Sequence, residues 1–248
     1  MGYLIFGATG GVGSELTRRL TERGEKVFLA ARDSVKLEKL ADSCGAFFES
    51  ADITDSAQVE RVFAVAREKL GQVEGAACCV GSLLLKPAHL TQDREFEQTL
   101  RVNLFGAFYV LREAVRAMSE AGGSLVLLSS AAARIGIANH EAISAAKAGV
   151  QGLALAAAAT YAAKNIRVNV VAPGMIETPL TETILRSASA RKMSEGMHAL
   201  KRIGKPADAA SLIAWLLDRE NSWVTGQVFG VDGGLGTVVP RLDSSARS

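Results

Sequence analysis

Cysteine is scarce in this sequence: three in 248 residues, Cys44 and the neighbours Cys78 and Cys79. Adjacent residues on a strand point to opposite faces, a poor arrangement for a disulfide or a metal site. The three thiols read as small buried hydrophobes, and no metal is expected. Charge of one sign is lacking too. Lys and Arg total 28 against 26 Asp and Glu, a formal +2 without a long basic run, so nothing offers an electrostatic grip on nucleic acid or an anionic membrane. Small molecules are the expected partners. No apolar run approaches the ~20 residues of a membrane helix. The first glycine-rich turn begins after six residues, which leaves no room ahead of it for a charged start, an apolar stretch and a cleavage site. A cytoplasmic protein is expected. No Pro/Gly/Ser linker or internal repeat divides the chain, so one domain is expected over 1–248.

What is present is apolar material in a regular alternation. Hydrophobic residues make up 48% of the chain, enough for a sizeable core. Short apolar runs at 3–6, 26–30, 46–48, 75–80, 125–128, 167–171 and 227–231 read as seven buried strands. Between them, 13–23, 34–44, 56–70, 96–118, 141–163 and 207–217 carry apolar residues at helical spacing. Repeated strand, helix, strand units require right-handed crossovers, which predicts a doubly wound α/β fold: a seven-stranded, mainly parallel sheet with helices on both faces. The one long departure, 178–200, is polar and Met-containing and reads as a small lid insertion. Its Ile184, Leu185, Met193 and Met197 suit an adaptable pocket wall, or equally a structural helix.

After the first strand stands Gly7-Ala8-Thr9-Gly10-Gly11-Val12-Gly13, followed by a helix whose apolar face includes Leu16 and Leu20. Glycines serve a tight turn, a close approach of backbone to pyrophosphate, and close helix-to-strand packing. The helix N-terminus then offers amide donors and a positive dipole to phosphate. Strand before, helix after and first position in the chain make this a Rossmann-type dinucleotide site. Preference between cofactors is read after the second strand, where an acidic residue would bind a ribose 2′-hydroxyl and repel a 2′-phosphate. Here stand Ala31 and Arg32, and a guanidinium favours NADP(H) over NAD(H). The plain alternative leaves Arg32 solvated and Asp33 capping the next helix.

From Gly7 to Gly234 the sequence resembles the short-chain dehydrogenase/reductase family. The resemblance is carried by Gly7-x3-Gly11-x-Gly13, Asp52-Ile53, Asn103, Ser129-Ser130, Lys147, Arg167-Val168-Asn169, Pro173-Gly174, Thr178 and Asp232-Gly233-Gly234. It implies a nicotinamide cofactor held by Gly7, Thr9, Gly10, Gly11, Val12, Gly13, Arg32, Ile53 and Gly81. It further implies Asp52 near the adenine amine, Lys147 on the nicotinamide ribose, and Pro173, Gly174, Ile176 and Thr178 around the carboxamide. Ser130 would hydrogen-bond the substrate oxygen and Asn103 would hold a water in a proton relay. Plain readings stand beside these roles: Asp52 as a helix cap, Asn103 satisfying buried backbone, Ser130 ending a strand.

The family's active members carry a tyrosine four residues before the lysine, and thirteen after the serine. Both rulers land on Ile143. An isoleucine cannot donate the proton that the phenol supplies, which forfeits on the order of 10²- to 10⁴-fold in rate. His140, three residues earlier, is the candidate substitute, with an exposed polar residue at the helix start as its plain reading. Ser144 points about 100° away around the helix, and Tyr161 lies about 27 Å along its axis. The family's Asn-Asn-Ala-Gly after the fourth strand is here Cys78-Cys79-Val80-Gly81.

Two functions follow. One is an NADP(H)-dependent oxidoreductase reducing a carbonyl or polarised double bond with Ser130, Lys147, Asn103 and a substitute acid. The other is a non-catalytic NADP(H)-binding sensor or inactive subunit. The alanine-rich helix at 141–163 and the aromatic-bearing helix around 103–118 suit close helix packing. The resemblance makes them a subunit interface, hence a homodimer or homotetramer.

Overall fold

The structure, a computed structural model, describes residues 1–240. Seven parallel strands lie in the order β3-β2-β1-β4-β5-β6-β7. They are β1 (Gly2–Phe6), β2 (Lys26–Ala31), β3 (Phe47–Ser50), β4 (Gly75–Cys78), β5 (Gly123–Leu128), β6 (Ile166–Pro173) and β7 (Val228–Val231). The expected sheet is therefore parallel throughout. Strand order reverses between β1 and β4, and the crevice beyond the carboxyl ends of such a pair is where ligands bind in open α/β sheets.

Alternation along the strands divides the core in two. Leu4, Phe6, Phe28 and Leu125 pack on one face with α3 (Ser56–Leu70) and α5 (Gly106–Ala117). Tyr3, Ile5, Leu29 and Val126 pack on the other with α1 (Gly11–Glu22), α2 (Ser34–Cys44) and α9 (Pro206–Leu217). Each fully buried Leu, Ile or Phe is worth about 1.5–3 kcal/mol. Caps fix the helix starts: Asp33 accepts from the Lys36 amide at 3.0 Å, and Asp55 accepts from Ala57 and Gln58. Asp33 thus caps α2 as its plain reading had it, whereas Asp55, not Asp52, caps α3.

Four local expectations are corrected. The helix read as continuous over 96–118 begins earlier, as α4 (Asp93–Leu100), and passes through a π turn, Arg101–Phe105, before α5. The apolar periodicity runs on across that turn, so nothing in the pattern marks it. The third strand sits slightly later than 46–48 and leaves Phe47 and Phe48 exposed at the sheet edge. The lid contains two helices, α7 (Glu182–Leu185) and α8 (Ala188–Met197), and its base is clipped by an Ile176–Gly204 bridge. Lastly, 141–164 is apolar enough over its length to cross a bilayer, which the run-length argument passed over. That stretch begins with α6 (Glu141–Tyr161), whose Val150, Ala154 and Ala157 belong to the core against β5 and β6.

Cys78 joins one core face and Cys79 the other, as adjacent strand positions require. Burial pushes both thiols up, so neither supplies thiolate near neutral pH. Among the described residues no cluster of His, Cys, Asp or Glu could hold a metal.

Candidate active site

A cavity of about 1150 Å³ opens beyond the carboxyl ends of β1 and β4, running from Arg32 past the glycine turn to α8. Each glycine of the turn has its own reason. Gly7 is in the left-handed region, φ 75°, and a Cβ there would stand 2.9 Å from the Cys79–Val80 backbone. A Cβ on Gly13 would lie 2.2 Å from the Gly7 carbonyl oxygen, so only glycine lets α1 start this close to β1. Gly11 is met by the Thr178 methyl, which brings the lid's base to the turn. Gly10 precedes the helix with no side chain to cap it, so the first-turn amides of α1 have no side-chain acceptor. Bare amides at a helix N-terminus beside a cavity are the donor set that a pyrophosphate needs.

Most of the residues expected from the sequence meet here. Gly7, Thr9, Gly10, Gly11, Val12, Arg32, Ile53, Gly81, Ser130, His140, Ile143, Lys147, Pro173, Gly174, Ile176 and Thr178 all line the cavity. Gly13 lies beneath the turn. Asp52 is outside the lining, and its Oδ1 accepts from the Thr54 amide and hydroxyl, both at 2.8 Å. Asn103 is buried behind the wall: its Oδ1 accepts from the Ser82 amide at 3.1 Å and its Nδ2 donates to the Ser82 hydroxyl at 2.8 Å. It fixes the segment carrying Gly81, its plain role of satisfying buried backbone. Of the lid residues, Ile184, Met193 and Met197 face the cavity, while Leu185 turns into the interior.

Ser130 Oγ accepts from the Ala132 amide at 3.2 Å, which leaves its proton free to donate into the cavity. Ile143 is buried at the wall with no polar atom. The His140 Nδ1 lies 2.8 Å from the Ala138 carbonyl. Nδ1 therefore carries a proton, and a neutral ring can offer only an acceptor at Nε2; it donates there only as imidazolium.

Lys147 is buried and donates from Nζ to the Leu128 carbonyl at 2.9 Å. Its backbone is braced from below: Ser129 Oγ donates to the Lys147 carbonyl at 2.8 Å while accepting from Gln151 Nε2 at 2.9 Å. Sequence reasoning missed this brace; the paired Ser129-Ser130 was its only trace. Burial holds the Lys147 ammonium down from its ordinary 10.5 to about 8, against a weaker upward pull from Cys78 and Cys79. Below about pH 8 the folded chain bears the whole cost of that buried charge, and the cost falls away between about 8 and 10.5 as the folded-state amine deprotonates first. Lys147→Met is accordingly expected to stabilise the cofactor-free protein at neutral pH by about 1–3 kcal/mol, raising Tm by about 2–12 °C, while weakening dinucleotide binding. Thermal melts with and without cofactor check both signs, and the stabilisation should shrink as the pH approaches 10.5.

His198, which nothing in the pattern marked, is buried in the lid's base. Nδ1 lies 2.6 Å from the Ser194 carbonyl, and Nε2 accepts from the Met175 amide at 3.1 Å. A Cβ on Gly174 would stand 2.6 Å from that Nε2, so the Pro173-Gly174 turn and the lid interlock at this ring. At the other end of the cavity Arg32 is joined by Lys36, whose Nζ pairs with Asp33 at 3.0 Å. A shallower hollow of about 780 Å³ behind α1 is lined by Glu15, Arg18 and Glu22, whose charges pair with one another.

Comparison with known proteins agrees with this geometry. The model of the family described as enoyl-(acyl carrier protein) reductase matches residues 7–236. The 3-oxoacyl-[acyl-carrier-protein] reductase MabA of Mycobacterium bovis is 32% identical over 240 residues, covering 94% of this chain and 92% of that protein. Among solved structures, a short-chain type dehydrogenase/reductase from Mycobacterium ulcerans superposes with a TM-score of 0.92 at 29% identity, over 99% of this chain and 93% of that one. Actinorhodin polyketide ketoreductase, solved with NADPH, gives 0.89 at 26% identity over 96% and 98%. With a family model matched over residues 7–236, a relative 32% identical over 94% of the chain and the same fold in the solved structures, the chain belongs to the short-chain dehydrogenase/reductase family of oxidoreductases.

Proposed function

We propose that this protein is an NADP(H)-dependent oxidoreductase that reduces a carbonyl or polarised double bond of a small molecule, at a site lacking the family's tyrosine. The observation that carries the reading is the retention of Ser130 and Lys147 in one cavity with an uncapped glycine-turn helix. When bound, the cofactor supplies a hydride. The α1 amides would hold its pyrophosphate, and Lys147 its nicotinamide ribose. Pro173, Gly174, Ile176 and Thr178 would line its carboxamide, and Ser130 would donate to the substrate oxygen. The solved ketoreductase with NADPH supports the cofactor's class. A panel of carbonyl and enone compounds, followed by loss of NADPH absorbance, tests the activity. Turnover that Ser130→Ala abolishes supports it. Saturable NADPH binding with no turnover of any compound favours the sensor or inactive-subunit role that Ile143 motivates.

Preference for NADP(H) rests on Arg32 at the cavity wall, with no acidic residue at the preceding position. Arg32→Ala is expected to weaken NADPH binding by about 10- to 100-fold, the worth of a charge-assisted pair, and to leave NADH binding within about twofold. Parallel calorimetric titrations check it. We also propose a cytoplasmic setting, in keeping with three free cysteines. Assembly as a homodimer or homotetramer through the helices around 103–118 and 141–163 is supported by Phe105, Phe108 and Leu155, all exposed in the single chain. Light scattering that gives a monomer at micromolar concentration would contradict it.

A further inference from the structure

One ring ties the wall expected at the carboxamide to the lid. β6 ends at Pro173, and the segment after it lines the cavity through Gly174, Met175, Ile176 and Thr178, with no strand beside it beyond the single Ile176–Gly204 bridge. Its backbone is therefore held group by group. The Gly174 amide donates to the Val231 carbonyl at 3.1 Å, the Met175 carbonyl accepts from the Gly204 amide at 2.9 Å, and the Ile176 carbonyl accepts from the Thr181 hydroxyl at 2.6 Å. The Met175 amide is held differently: its acceptor is a side chain at the end of α8, His198 Nε2, at 3.1 Å.

Backbone groups assign both ring nitrogens. The Ser194 carbonyl can only accept, so Nδ1 carries the proton; the Met175 amide can only donate, so Nε2 presents a lone pair. The ring is 2% exposed, which keeps water from competing for either bond. It packs against two glycines, since a Cβ on Gly174 would stand 2.6 Å from Nε2 and one on Gly233 would stand 3.5 Å from the His198 Cβ. Ser194 lies in the last turn of α8 with Met197, one residue after Met193, and all three line the cavity. A trans peptide turns as one plane, so an acceptor fixed on the Met175 amide also fixes the direction of the Gly174 carbonyl.

We propose that His198 is a positioning residue for the nicotinamide end of the cofactor, its Nε2 orienting the Gly174–Met175 peptide in the wall that meets the carboxamide. This goes beyond the oxidoreductase reading above and rests on its dinucleotide site. Without the acceptor a buried N–H is left unpaired; the peptide escapes that cost by turning, and a cofactor must then turn it back. The adenosine end is spared, because Arg32 stands at the end of β2, with β1, β4 and β5 between it and β6.

Two substitutions of similar shape separate the ring's bonds. His198→Gln can place Oε1 where Nε2 stands, which keeps an acceptor for the Met175 amide and gives up the Ser194 bond. His198→Asn can place Nδ2 where Nδ1 stands, which keeps the Ser194 bond and gives up the acceptor. The test titrates the full chain calorimetrically with NADPH and with 2′-phospho-ADP-ribose, the oxidised cofactor without its nicotinamide. His198→Asn should weaken NADPH binding by at least about fivefold, the lower worth of a buried hydrogen bond left unmade, and leave the fragment within about twofold of wild type. His198→Gln should keep both ligands within about twofold. Equal losses of NADPH affinity in the two variants, a loss of fragment affinity as large as that of NADPH, or NADPH binding to His198→Asn within about twofold of wild type overturns the proposal and leaves the dinucleotide site standing. Failure of both ligands to bind the wild type removes that site, and the proposal with it.

Discussion

Ile143→Tyr should raise NADPH-dependent reduction of simple ketones by about 100-fold or more, the contribution expected of a positioned general acid. Position 143 is one helical turn before Lys147 on α6 and already lines the cavity, so a phenol there enters the reacting space next to the ammonium that lowers its pKa. Ser130 and Lys147 are in place to receive it. The effect belongs in kcat, since the proton is demanded as the transition state forms and ground-state binding is untouched. Steady-state kinetics of both proteins with one ketone measure it, with circular dichroism to establish that the larger side chain is accommodated. A well-folded variant with no gain would mean that the serine and lysine are not arranged for hydride-transfer chemistry.

Gly13→Ala should act in the opposite direction and on the whole molecule. Its Cβ would meet the Gly7 carbonyl oxygen at 2.2 Å and the Ala8 Cα at 2.9 Å, and both are backbone, with no side chain to swing aside. Relief requires α1 to move away from β1, which displaces the first-turn amides from the cavity. A loss of about 3 kcal/mol is expected, the upper range for overpacking, or roughly 6–12 °C in Tm for a chain of this size. NADPH binding should vanish even where the variant stays folded. Gly196→Ala is the control: nothing lies within 4 Å of its Cβ, and it sits within α8, so it should be neutral or stabilise by up to about 1 kcal/mol.

Much of this was legible before the fold was known, because the features are local. Strands buried on both faces leave continuous apolar runs, helices leave a three-and-four spacing, and a turn that demands glycine at 7, 11 and 13 cannot conceal itself. The spacings from Ser130 and from Lys147 both single out Ile143 as the expected departure. Less legible were features that depend on what distant segments do when they meet. The π turn at Arg101–Phe105 leaves the apolar rhythm intact and emerges only where Asn103 turns to grip Ser82. His198 has an ordinary lid sequence around it, and its burial follows from Gly174 and Met175 packing against its ring. Ser129 looks like its neighbour Ser130 in sequence, yet one braces Lys147 from beneath while the other faces the cavity. Asp52 lies outside the cavity lining, and nothing in the pattern marks that its Oδ1 accepts from Thr54 within its own turn.

We propose that dinucleotide binding and proton donation are separate in this protein, the first retained and the second missing at residue 143. Calorimetric titration of NADPH into the wild type and Ile143→Tyr, side by side, tests that most directly. Saturable binding at one site per chain is expected in both, with dissociation constants within about twofold, because no α1 amide, Arg32 or Lys147 contact changes. Absence of NADPH binding to the wild type, or binding that appears only once the tyrosine is supplied, would contradict it.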